Sequence, residues 1–171
     1  MKKIIIGLMV FLTLNVFANV TNIDKMELKG SEGGYLDDKE WSINDKNGKV
    51  RLILYVDPDE QEKGESFKPT TFELEELYKK EIFDIEVILN LGATWIPNMM
   101  IMKKLKDKAE VNPRRTFIVD KDEKFVKLNG FVNDEYNIIL LDKNMKILFE
   151  KSGELNNEDI GKIKGLIKNN I

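Results

Sequence analysis

The sequence predicts a three-layer α/β sandwich around a central mixed β-sheet. Three observations predict it. Val50-Arg51-Leu52-Ile53-Leu54-Tyr55-Val56 is a nearly unbroken apolar run of strand length, the pattern of a strand covered on both faces. Strands and amphipathic helices alternate through the middle of the 171-residue chain, which requires right-handed crossovers with helices packed on a sheet. A hairpin pattern and one further helix then close the chain and add an antiparallel edge.

The first segment stands outside that fold. Lys2 and Lys3 precede an apolar run from Ile4 to Phe17, broken only by Gly7, Thr13 and Asn15, and Val16-Phe17-Ala18 sets small residues at a cleavage site. This is the layout of a secretory signal peptide cleaved after Ala18, with residues 1–18 as signal and 19–171 as one domain. The run is shorter than the ~20 residues that span a bilayer, so no stable membrane anchor is expected after cleavage. No cysteine follows to carry a lipid. The domain is expected to be exported and to hold together without disulfides.

Residues 20–49 are polar and turn-rich, with Gly30, Gly33, Gly34 and the turn Asn44-Asp45-Lys46-Asn47-Gly48; a short strand fits at Lys25–Leu28. After the Val50–Val56 strand comes the charged loop Asp57–Phe67. Thr70-Thr71-Phe72-Glu73 predicts a helix start, with Thr70 as cap, Glu73 reaching back, and Leu74, Leu77 and Tyr78 as the buried stripe. Ile85–Asn90 reads as a second strand. Pro97 opens a second helix in its first turn, where no donor is lost, and its core face is Ile101, Met102, Leu105 and Ala109. Thr116–Val119 is a third strand, ended by Asp120. Residues 121–130 fit either a short helix closed by Gly130 or a turn with a weak strand. Asn137–Leu141 and Lys146–Phe149 form a hairpin through Asp142-Lys143-Asn144. Asn156 or Asn157 caps the last helix, whose apolar positions are Ile160, Ile163 and Ile167, and residues 168–171 are expected to fray.

Composition removes whole classes of function. The chain has no cysteine and no histidine, which excludes disulfide and thiol redox chemistry, zinc fingers and every imidazole-based device. Lys and Arg total 27 against 30 Asp and Glu, a net charge of −3, so nothing argues for nucleic acid as a partner. No glycine-rich phosphate loop occurs. No cofactor is expected.

The order of elements resembles the thioredoxin-like superfamily. Gly48-Lys49-Val50-Arg51-Leu52-Ile53-Leu54 is similar to the start of the central strand before its redox loop, and the stretch Ile139–Ile147 to its late strand–turn–strand. Within it, Gly48-Lys49-Val50-Arg51, Phe117-Ile118-Val119-Asp120, Leu141-Asp142-Lys143-Asn144, Gly153-Glu154-Leu155 and the stretch Asn90–Pro97 resemble the YtfJ family of periplasmic proteins, over a span from about Trp41 to the C-terminus. The resemblance implies a thioredoxin-like three-layer sandwich, export to the periplasm, and no established activity. Where the redox branches carry a nucleophilic cysteine, this chain has the acidic loop Asp57–Phe67; where they carry a facing proline, it has Asp134-Glu135-Tyr136-Asn137. The expectation is therefore a binding or accessory protein, with another periplasmic protein or a peptide as partner.

Candidate sites follow from the loops. Asp57, Asp59 and Glu62 offer carboxylates to a hard cation, but the spacing is a poor version of a calcium loop, and a solvated surface loop is the favoured reading. Met99, Met100 and Met102 invite a thioether site for Cu(I) and with it a metal-handling role; core packing is favoured for them. Arg114 and Arg115 can grip a carboxylate or phosphate, and surface solubility is the default. Trp95 follows the second strand at the end of the sheet where α/β proteins bind ligands. It reads first as a half-buried structural residue and second as an exposed recognition anchor. Right-handed crossovers place the Asp57–Gly64 loop and the Trp95 loop at the same end of the sheet, so Asp57, Asp59 and Trp95 are the candidate partner-binding edge. No catalytic or metal residues are assigned; an enzyme using carboxylates alone is a third class of function, for which nothing in the sequence selects a pair.

Overall fold

Seven consecutive buried residues, Val50–Val56, are possible only where a strand is covered on both sides, and that strand lies inside a six-stranded sheet. In the computed structural model the described residues are 23, 25–46 and 48–171. The signal peptide and its cleavage after Ala18 lie outside them, as does Asn47 of the predicted turn.

In chain order the strands are β1 (Glu27–Leu28), β2 (Gly33–Tyr35), β3 (Trp41–Ser42), β4 (Val50–Val56), β5 (Phe83–Asn90), β6 (Thr116–Asp120), β7 (Tyr136–Leu141) and β8 (Ile147–Ser152). The helices are α1 (Lys68–Leu77), α2 (Asn98–Val111), α3 (Lys124–Asn129) and α4 (Asn157–Asn170). The sheet order is β2-β6-β5-β4-β7-β8. Strands β4, β5 and β6 are parallel, while β2, β7 and β8 run antiparallel to their neighbours. A separate ribbon pairs β1 with β3.

Alternation along β4 divides the core. Val50, Leu52, Leu54 and Val56 meet Phe67 and Leu74 beside α1 and Ile163 and Ile167 of α4. On the same face, Ile101 and Leu105 of α2 pack on Leu89, Phe117 and Val119. Ile53 and Tyr55 point the other way, toward Phe125 and Val126 of α3 and toward Leu28, Trp41 and Ile43 of the ribbon region. The result is the predicted three-layer sandwich with β4 central and the β7–β8 hairpin at an edge.

Several boundaries depart from expectation for readable reasons. Helix α1 begins at Lys68, because Pro69 in its first turn needs no donor there. Thr70 is not its cap, and the buried Thr71 hydroxyl donates to the Lys68 carbonyl (2.8 Å). Leu77 is exposed, because α1 ends there and the chain turns out into an extended Tyr78. Residues 124–129 are helical, with Gly130 left-handed after the last turn. The C-terminus does not fray: α4 continues through Asn170 and Ile171 packs against the core. At its start Asn156 and Asp159 form a reciprocal capping box.

Among the described residues no helix is long and apolar enough to cross a membrane.

Candidate functional site

The C-terminal ends of the parallel strands gather the loops that carry most of the candidate residues. Beyond β4 the chain does not form an open loop. It winds into a 3-10 helix, Pro58–Gly64, that leads toward α1. Asp57 caps that turn: its Oδ1 accepts the Asp59 N–H (2.8 Å), and its own N–H donates to the Glu135 carbonyl (3.2 Å). The expectation of a solvated acidic loop therefore fails at Asp57, which is only 3 % exposed. Burial pushes its carboxyl above the usual range, and repulsion from Asp59, Asp134 and Glu60 adds to the effect.

Asp59 is exposed and reaches the next loop. Its Oδ2 accepts the Thr94 hydroxyl (3.0 Å), and Thr94 Oγ1 in turn accepts the Ile96 N–H (3.1 Å). The two loops expected at one end of the sheet are thus joined by a hydrogen bond. Further stitches run across the same end. Asn90 Oδ1 accepts the Gly92 N–H (3.2 Å), Asn90 Nδ2 donates to Asn133 Oδ1 (2.9 Å), and Asn133 Nδ2 donates to Glu123 Oε1 (3.1 Å). Gly92 is required here: a Cβ would come within 2.7 Å of the Glu123 side chain and 3.1 Å of the Lys121 carbonyl. Gly64 has the same role against Tyr136, whose ring a Cβ would meet at 2.4 Å. The Lys127 ammonium and then the Asn133 amide hold the Glu123 carboxyl below its ordinary range.

Below this surface sits a buried polar anchor that the sequence reading did not single out. Asp120, at the end of β6, accepts the Tyr55 hydroxyl (3.1 Å) and the backbone N–H groups of Asp122, Lys124 and Phe125 (3.2, 3.0 and 2.8 Å). These bonds fix the approach to α3. Burial, and after it the Asp120 charge, drives the Tyr55 phenol far above its ordinary value, so Tyr55 stays a donor. The sequence signal was an Asp ending a buried strand just ahead of a polar turn.

Trp95 is 84 % exposed, which overturns its reading as a half-buried structural residue. It lies between Thr94 and Ile96, whose backbone and side chain hold the turn, so the indole is carried outward by a fixed loop. Met99 (82 %) and Met100 are exposed on the first turn of α2, whereas Met102 packs partly against the core. Core packing therefore accounts for one methionine of the three. Among the described residues no group of three or more carboxylates is placed to hold a metal ion. Trp41, in contrast, is fully buried in the ribbon.

The arginines lie elsewhere and are occupied, so surface solubility is not their role. Arg115 grips Glu75 with two bonds (2.9 and 2.8 Å) and lies 5.1 Å over the Phe72 ring. Arg114 donates to the carbonyls of Glu75, Tyr78 and Phe83, tying the end of α1 to β5.

Comparison with solved structures finds the same frame. A putative thioredoxin from Neisseria meningitidis superposes with a TM-score of 0.66 at 20% identity, covering 88% of this chain and 91% of that one. A putative thiol:disulfide interchange protein DsbE from Chlorobium tepidum gives 0.65 at 19%, covering 87% and 94%. An uncharacterized thioredoxin-like protein from Porphyromonas gingivalis gives 0.61 at 16%, covering 87% and 94%. These likenesses establish the thioredoxin-like fold and nothing beyond it. No curated protein matches the sequence. The model of a family described as "Bacterial protein of unknown function (YtfJ_HI0045)" matches residues 13–170.

Proposed function

We propose that this chain, which belongs to the YtfJ_HI0045 family of bacterial proteins, is an exported periplasmic binding or accessory protein. It uses the end of the sheet that serves redox chemistry in its structural relatives to recognise another protein or a peptide. With no cysteine in the sequence, thiol–disulfide chemistry is excluded. Export is supported by the basic head, the apolar run and Ala18. The recognition role rests above all on Trp95, an indole almost fully exposed on a loop that hydrogen bonds hold in place. A large aromatic side chain presented on a hydrogen-bonded loop is what an interface anchor requires.

The test uses one variant and one cross-link. Trp95→Ala is expected to change unfolding free energy by no more than about 0.5 kcal/mol, because so little of the side chain is buried. A photo-crosslinking phenylalanine analogue replacing exposed Asn98 should capture a partner in the intact envelope, and Trp95→Ala should reduce that capture by the ~2 kcal/mol typical of an anchor. The same analogue replacing Lys143, at the opposite end of the sheet, should capture none. Equal capture from both positions, or capture indifferent to Trp95→Ala, refutes the reading. Sequencing the N-terminus of the protein recovered from the envelope tests export: residue 19 as first residue supports it, and an intact Met1 overturns it.

A further inference from the structure

The charges around Trp95 state what kind of partner the surface takes. Three basic side chains at this end are already engaged. Lys63 is shared between Glu60 (2.6 Å) and Glu135 (2.7 Å), Lys127 pairs with Glu123 (2.9 Å), and Lys124 pairs with Glu32 (2.9 Å). Asp59, Glu62, Asp122 and Asp134 are exposed and have no basic side chain within ion-pair distance among the described residues. Half-buried Lys121 lies on the turn after β6, and Lys103 and Lys106 of α2 line a shallow depression with Met99 and Met102, beside Asp107 and Glu110. The groups share one neighbourhood: Asp59 is bonded to the Trp95 loop, Asp122 lies on the turn held by Asp120, and Asp134 follows the Asn133 that bridges Asn90 and Glu123. The field of this rim is felt by Asp57, whose carboxyl is pushed up in part by Asp59 and Asp134.

We propose that the occupant of this surface is a cationic segment with an apolar anchor, lysines or arginines flanking large apolar side chains that seat on Trp95, Met99 and Met100. This rests on the recognition role proposed above and gives that role its partner chemistry. Thioethers adapt to varied apolar shapes, and the indole face attracts a cation as well as an apolar group. The carboxylates speed encounter with a cation and repel an anionic rival.

The sequence supplies its own reporter. It has two tryptophans, of which Trp41 is sealed in the ribbon and Trp95 is open to water. Two synthetic peptides serve as ligands, each with a Leu-Phe-Leu centre, one flanked by lysines and the other by glutamates. The lysine peptide should shift the emission of the intact protein to shorter wavelength, and Trp95→Phe should abolish the shift. Its affinity should exceed that of the glutamate peptide by about tenfold and fall as salt is raised from about 50 to about 300 mM. Asp59→Asn/Asp134→Asn should weaken it several-fold; asparagine at 134 suits the left-handed backbone there (φ 52°). Equal affinities, a preference for the glutamate peptide, or no shift with either overturns the charge assignment. The fate of the recognition role is read separately: capture from Asn98 that depends on Trp95 leaves that role standing even where the lysine peptide fails.

Discussion

The most exacting test of the fold lies far from the Trp95 surface, at the buried pair formed by Arg51 on β4 and Glu86 on β5. Both side chains are fully buried, with Arg51 Nη2 bonded to Glu86 Oε2, while Nη1 donates to the Ile43 carbonyl. Arg51 also stands in register with buried Asp84. Removing the guanidinium by Arg51→Met takes from buried Glu86 the cation bonded to it, and Glu86→Gln leaves the guanidinium beside a neutral amide. Breaking a buried pair from one side costs about 3–5 kcal/mol, a large share of the roughly 5–15 kcal/mol that holds an ordinary domain together. At about 2–4 °C per kcal/mol for a chain of this size, each single variant should lower Tm by about 6–20 °C. Arg51→Met/Glu86→Leu removes both charges and should recover most of the loss, short of about 1 kcal/mol for the donor taken from Ile43. Urea unfolding of the four proteins closes the double-mutant cycle. Single variants within about 1 kcal/mol of the parent, or a double variant as damaged as the sum of the singles, would falsify the argument that the pair is held by mutual compensation.

Two further outcomes follow from the packing and the pKa directions. Leu52→Ala empties a fully buried position in the central strand and should cost about 2–5 kcal/mol by urea unfolding, and a change near zero would mean that the site collapses without penalty. Asp57 has a raised folded pKa, so its contribution to stability is full below its unfolded pKa of about 3.9 and is lost as pH rises through the folded value. Asp57→Asn keeps an acceptor for Asp59 and removes the charge; it should stabilise the protein at pH 7 and confer a shrinking advantage as pH falls toward 4, whereas a loss at pH 7 contradicts the assignment.

The fold was legible where pattern and burial coincide. The run Val50–Val56 has no polar alternation apart from Arg51, and a strand covered on both faces needs none. Pro97 and the Asn156-Asn157 pair marked the starts of α2 and α4, with Pro97 standing just before its helix rather than within the first turn and Asn156 as the cap. Boundaries failed where tertiary contacts outvote local preference. Thr70-Thr71 looks like a cap in isolation, but Pro69 lets the helix begin earlier and Arg115 draws the Thr71 hydroxyl inward (2.9 Å). Arg115 itself reads as a surface charge until Glu75, forty positions away in the chain, is folded against it.

The site divides along the same line. Topology placed the loops, because parallel strands joined by right-handed crossovers deliver every strand–helix turn to one end of the sheet, and the Asp59–Thr94 bond spans the two loops so delivered. Composition did not place the side chains within those loops. Asp57 and Asp59 are both acidic and two positions apart, yet one is buried as a cap and the other exposed. The difference arises because Pro58 starts a helical turn whose first free N–H must be satisfied, and the side chain at the turn's entrance satisfies it. Trp95 is the converse. Its size predicts burial, but it is the next residue, Ile96, that packs against the cluster holding Ile101 and Leu105, while the Thr94 hydroxyl accepts the Ile96 N–H and Trp95 is left in water. Leaving a large apolar surface in water is unfavourable, and the loop that enforces it is held by several hydrogen bonds rather than by the tryptophan's own packing. A side chain that contributes nothing to its own placement is free to be chosen for what it touches outside the molecule, which is the physical ground for reading Trp95 as an anchor.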